Sequence, residues 1–170
     1  MPKPPLNDAT YVQHALTSLK AQGLRLTHPR QRVVGVLAEA TFPLSAYDIK
    51  ALLDEQGTPV DTVSVYRVLD CLEQLHLIHR VGNTGKVVSC QRTHTPCQYH
   101  HEVKPYHVQE HHWHVLLVCV GCGQVAEAET SPHLNAFAQQ LVSQQGFTPQ
   151  AGALEVKGWC RGCQLANSNP

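Results

Sequence analysis

Apolar and polar positions change their period along this chain, from helical spacing in its first third to alternation near residue 76. Val12, Ala15, Leu16 and Leu19 recur at the spacing of one helix face, and Gly23 stands where such a helix would stop. Thr27 fits the cap of a second helix, with Pro29 in its first turn and Val33, Val34 and Leu37 inside. Ser45-Ala46-Tyr47-Asp48 has capping-box spacing, and Ile49, Leu52 and Leu53 follow as an apolar stripe that ends at Gly57. Asp61 or Thr62 opens a fourth helix. At about 100° per residue, Val65, Leu69 and Leu72 share one arc of it. Arg67, Asp70 and Gln74 lie opposite, with Tyr66 at the boundary. Residues 76–81 and 86–90 then read as two strands joined across Gly82-Asn83-Thr84-Gly85.

Short helices closed by a hairpin are the order of a winged helix, whose last helix enters a DNA groove. The competing reading is an amphipathic surface helix with no partner. Charge bears on the choice. The net charge is zero, which argues against a uniformly basic coat, yet Lys20, Arg25, Arg30 and Arg32 form an acid-free basic strip.

Composition shifts in the second half. Residues 91–111 are rich in His, Pro, Gln and Tyr and show little period. Residues 115–118 form a short apolar strand, Val125 begins a partner strand running toward Glu127 and Glu129, and residues 153–158 make a third. Ser131-Pro132 starts a helix carrying Leu134, Phe137, Ala138, Leu141 and Val142 on one face and stopped by Gly146. The tail from Leu165 is expected to lack structure. So small an α/β unit has a thin core, and metal and self-association are expected supports.

The chemistry lies in two C-x-x-C pairs, Cys119/Cys122 and Cys160/Cys163, the first preceded by a run of histidines. Two such knuckles complete a tetrahedral sulfur shell, the geometry of structural zinc. No apolar run is long enough to span a bilayer, and the first ten residues lack a secretory apolar segment, so a cytoplasmic location is expected. In that reducing setting the seven cysteines are ligands or free thiols. Cys71 reads as a small, half-buried side chain.

Together these residues resemble the ferric uptake regulator (Fur) family of metal-sensing repressors. The matching stretches are Leu24-Arg25-Leu26-Thr27 with Arg30, Ser45-Ala46-Tyr47-Asp48-Ile49, Val63-Ser64-Val65-Tyr66-Arg67-Val68-Leu69, the His-rich segment before Cys119, and the two knuckles. Ser-Ala-Tyr-Asp at 45–48, His79 before the wing, Cys90 after it and Trp159-Cys160 are most similar to the zinc uptake regulator (Zur) branch. The resemblance implies an α+β chain. Residues 1–90 would be a winged helix-turn-helix DNA-binding domain, with a hinge at about 82–95, and residues 91–170 a small zinc-tied α/β dimerisation domain. It also implies a homodimer on a double-stranded DNA operator, with no membrane and no small organic substrate.

Carried over residue by residue, a second, exchangeable zinc would be held by His79, Cys90, His112 and Glu127. The family often has His three residues before the first knuckle cysteine, but Leu116 stands there. His112 and His114 share a strand face, so either fits as the ligand; His112 is favoured and His114 is the close alternative. A thiolate among the ligands selects against iron and manganese. Two zinc ions per subunit are expected, and the His-rich loop 91–111, with Cys97, leaves room for a third. Arg67, Arg25 and Lys20 are candidate phosphate contacts, Tyr66 a thymine-methyl contact and Tyr47 a hydroxyl donor to phosphate. Thr62 and Ser64 complete the DNA-facing set.

The expected function is therefore zinc-dependent repression of zinc-uptake genes, by a protein that is not an enzyme. The nearest alternative is an iron or peroxide sensor of the same family. A zinc store, a C-x-x-C redox enzyme and a zinc hydrolase rank lower. The hydrolase lacks H-E-x-x-H, and no helix is expected after Cys160, as a thioredoxin-like order would need.

Overall fold

The computed structural model describes residues 8–91, 114–128, 132–147 and 153–167. They fall into two compact units, Met1–Tyr99 and His100–Pro170.

In the first unit, α1 (Asp8–Ala21), α2 (His28–Glu39), α3 (Ala46–Glu55) and α4 (Thr62–Gln74) lie close to the spans that the apolar spacing predicts. Ser45 caps α3 as a full capping box: the Asp48 N–H donates to Ser45 Oγ, and the Ser45 N–H donates to the Asp48 carboxylate. Asp61 caps α4 by accepting from the Ser64 N–H at 2.9 Å. Thr27 occupies the cap position of α2, but its side chain makes no cap hydrogen bond. His76 takes a left-handed φ of 55° and ends α4, its N–H on the Glu73 carbonyl and the Leu77 N–H on that of Leu72. For that reason the first wing strand starts two residues later than expected.

The wing is β2 (Ile78–Val81) and β3 (Lys86–Ser89), turned through Gly82 and Gly85 at positive φ. A two-residue strand, β1 (Leu44–Ser45), adds to β3 and makes an antiparallel sheet in the order β1-β3-β2. Two residues are too few for alternation to reveal. Tyr11, Leu19, Val33, Leu37, Ile49, Leu53, Leu69 and Leu72 are fully buried in one core shared by all four helices.

The second unit has β4 (His114–Cys119), β5 (Val125–Ala128), α5 (Pro132–Gln144), β6 (Ala153–Gly158) and α6 (Arg161–Asn167). β4 is central, antiparallel to β5 and parallel to β6. The helix α6 corrects two expectations, a structureless tail from Leu165 and no helix after Cys160. It begins inside the second knuckle, where the Gln164 N–H donates to the Cys160 carbonyl at 2.9 Å. Its seven residues carry no apolar stripe by which the sequence could announce it.

Candidate metal centres and nucleic-acid interface

β4 and β6 run side by side and deliver the two knuckles to one place. Cys119 ends β4 opposite Gly158, and the Val120 N–H donates to the Gly158 carbonyl at 2.8 Å. The sulfurs of Cys119, Cys122, Cys160 and Cys163 all lie within 4.8 Å of one another, with Cys122 Sγ 3.7 Å from Cys160 Sγ. Glycine leaves room between the first pair, since a Cβ on Gly121 would stand 2.6 Å from the Trp159 ring and 3.0 Å from Cys163 Sγ and would have to push the ring aside. Backbone amides, first that of Cys122 and then that of Cys160, draw Cys119 down to about 6. Hydrogen bonding to the sulfurs of Cys160, Cys119 and Cys122 pushes Cys163 up to about 12. Four thiolates this close repel one another unless a cation sits among them. The donor set and its spread fit a tetrahedral, thiophilic dication.

Two further pairs of donors stand in the two units. In the first, His79 lies opposite Val88 on the wing, so Cys90, two residues on, shares its face. Both are buried, and a ring nitrogen of His79 lies within 4.8 Å of Cys90 Sγ. The Cys90 N–H donates to the Leu77 carbonyl at 2.9 Å, and the buried Tyr11 hydroxyl donates to the same oxygen at 3.1 Å. In the second unit, Glu127 is opposite Leu116 on β5, which aims it at the face that carries His114. His114 Nδ1 lies 2.6 Å from Glu127 Oε1, with both side chains almost wholly buried. A buried carboxylate beside an imidazole is a ready half-shell for a metal. His112, Cys97 and the histidines of the loop, with any third metal, lie outside the described residues.

On the first unit, α4 buries Val65, Val68, Leu69 and Leu72 and leaves Val63, Tyr66, Arg67 and Asp70 in solvent. Exposed Tyr47, on α3, meets Tyr66 edge to face with ring centroids 6.4 Å apart. Thr62 and Ser64 are half-buried at the start of α4, and Lys20 and Arg25 are exposed at the end of α1 and in the turn after it. Arg30, part of the same basic strip, turns back and donates to the Arg25 carbonyl. Asp70 does not stand free on the outward arc, because Arg80 of β2 holds it. Cys71 is half-buried against the core, as its position on the helix predicts.

The second unit leaves an apolar face uncovered. Leu117 lies between Ala126 and Val156 in register, and it is 43% exposed and Val156 54% exposed. Phe137 and Leu141, one turn apart on α5, are also exposed.

A helical unit ending in a two-stranded wing, followed by an α/β unit whose four cysteines could hold a metal ion, is the arrangement of a metal-responsive DNA-binding regulator. The sequence model of the Ferric uptake regulator family matches residues 21–157, and the chain belongs to that family. Members are metal-responsive transcription regulators, not enzymes, and bind operator DNA as dimers. The chain is 29% identical over 151 residues to the ferric uptake regulation protein of Neisseria meningitidis, covering 88% of this chain and 92% of that protein. It is 27% identical over 142 residues to the zinc uptake regulation protein of Escherichia coli, covering 84% of this chain and 74% of that one. A solved zinc uptake regulator in complex with zinc and DNA shares the fold, with a TM-score of 0.74 at 24% identity over 95% of this chain and 97% of that one. Among the described residues, no helix is long and apolar enough to cross a membrane.

Proposed function

We propose that this chain is a zinc-responsive repressor of the Zur type, acting in the cytoplasm on genes of zinc acquisition. The four-cysteine cluster holds a structural zinc, and His79, Cys90, His114 and Glu127 hold a second, regulatory one. Of the two candidate histidines, His114 is favoured by its hydrogen bond to Glu127. The observation that carries the reading is the thiol in the sensing set: buried Cys90 stands beside His79, and a thiolate with imidazoles and one carboxylate suits zinc better than iron or manganese.

When bound, zinc supplies the one positive centre that donors from both units can share. His79 and Cys90 belong to the first unit, His114 and Glu127 to the second. Sharing an ion selects relative orientations of the units, and a dimer so restricted presents its two α4 helices at one spacing. Arg67 reaches phosphate or a base edge and Tyr66 a thymine methyl, while Tyr47, Thr62, Ser64, Arg25 and Lys20 serve the backbone. Two copies pair through the face of Leu117 and Val156. By linkage, operator DNA tightens zinc binding by the factor with which zinc tightens DNA binding.

An iron sensor of the same family is the rival, favoured by the slightly higher identity to the Neisseria protein. Metal titration decides between them. An operator is selected from random duplex DNA by the metal-loaded protein, and binding is followed as Zn(II), Fe(II) or Mn(II) is added to chelated dimer. Zinc alone is expected to restore tight binding at low free concentration. Equal restoration by iron or manganese would contradict the zinc assignment.

A further inference from the structure

Arg80 has no part in either metal cluster, yet it is the most heavily engaged cation among the described residues of the first unit. Its position on β2 is next to His79 but on the opposite strand face. Its guanidinium reaches across to α4. Arg80 Nε donates to Glu73 Oε2 at 2.7 Å, and a terminal nitrogen reaches the same oxygen at 2.7 Å and Asp70 Oδ1 at 3.0 Å. Asp70 and Glu73 are three residues apart, so one planar fork spans two adjacent carboxylates on a single helix edge.

We infer that Arg80 is a positioning residue for DNA reading, which fixes the angle of α4 against the wing and masks two carboxylates that would otherwise meet phosphate. The inference rests on α4 being the reading helix. Buried Val65, Val68, Leu69 and Leu72 hold that helix to the core, but apolar packing alone tolerates small rotations about the helix axis. A two-point ionic contact on its outer edge resists such rotation. Asp70 follows Arg67 and Tyr66 along the exposed face, so turning the helix displaces the side chains that would touch bases. Bare, Asp70 and Glu73 would also add two negative charges beside a polyanion. Exposed ion pairs of this kind add little to overall stability, so variants are expected to fold.

A direct phosphate contact by Arg80 is the other role open to a wing arginine, and the two roles respond oppositely to removal of the acids. The test uses full-length, zinc-loaded dimer with the selected operator and a scrambled duplex, each measured over a range of salt. Arg80→Met and the double variant Asp70→Asn/Glu73→Gln are compared with wild type and with Arg80→Lys. Positioning predicts that both disruptive variants lower the operator-to-scrambled affinity ratio by on the order of tenfold, about the worth of one mismatched base pair. It further predicts unchanged zinc content and partial recovery in Arg80→Lys. If the double variant keeps its full ratio while Arg80→Met loses about one from the salt slope, Arg80 is a phosphate ligand and the proposal is overturned. Full ratios in both would overturn it as well. Arg67→Ala, measured alongside, separates the underlying reading: if it leaves operator affinity intact, α4 is not the reading helix.

Discussion

In the first unit Tyr11, Leu19, Leu37, Ile49, Leu53, Leu69 and Leu72 are all sealed inside one core. In the second, Leu117, Phe137, Leu141, Val156 and Trp159 remain in solvent, while Val115, Leu116 and Ala138 are, with Cys119, the apolar side chains hidden among the described residues. The two units are therefore stabilised differently. Apolar burial is the main support of the DNA-binding unit. Among its described residues the second unit has a smaller core, and on the function proposed above its strands are expected to depend on a metal held by the four cysteines and on a second copy covering Leu117 and Val156. Stability of DNA reading and of metal-dependent assembly can thus be altered separately.

The sharpest way to break this contrast is Cys122→Ser. Loss of one sulfur from the closed shell is expected to release zinc from the second unit, unfold it and abolish the dimer, while circular dichroism still reports the helices of the first. Sedimentation and metal analysis check this, and a zinc-replete dimer in the variant would contradict it. Leu69→Ala tests the other side. A fully buried leucine on α4 is expected to cost about 2–5 kcal/mol of unfolding free energy, read by denaturant titration, with the zinc of the four-cysteine cluster retained. Next in size is Leu117→Asp, which leaves the fold intact because the side chain is exposed. It is expected to raise the dimer dissociation constant at least about 30-fold by analytical ultracentrifugation.

Smaller effects sharpen the account of the first unit. Ser45→Ala removes half of the capping box on α3 and is expected to cost about 1 kcal/mol. The same box sets a pH dependence. The Ser45 backbone N–H, and after it the Ser45 hydroxyl, hold the Asp48 carboxyl below the usual carboxylate range. Because the folded value is the lower one, this contribution is present above the ordinary aspartate pKa. It is lost as pH falls through the depressed value. Wild type should thus lose more stability than Ser45→Ala as a thermal melt is repeated at progressively lower pH below the aspartate range.

What the sequence made legible were signals contained within a few residues. Ser45 three before Asp48, Gly82 and Gly85 around a turn, and cysteines two apart each determine local geometry whatever surrounds them. The arc of Val65, Leu69 and Leu72 likewise identified the buried side of α4. Features that depend on partners distant in sequence were not legible. Period alone put Asp70 on an outward face, but nothing local shows that Arg80, ten residues on, returns on the wing to hold it. His112 and His114 share a face in any extended strand, and it is the register of β4 on β5 that brings His114 to Glu127. The strand β1 exists only because β3 accepts it, and α6 only because a knuckle starts it.

On the proposed function, Cys90 belongs to a metal site distinct from the four-cysteine cluster and controls DNA binding through it. Counting zinc per subunit in wild type and Cys90→Ser, with operator affinity measured on the same samples, tests this most directly. The variant is predicted to keep one tightly held zinc and to bind operator with an affinity that no longer responds to added zinc. An undiminished zinc response in Cys90→Ser would contradict the account.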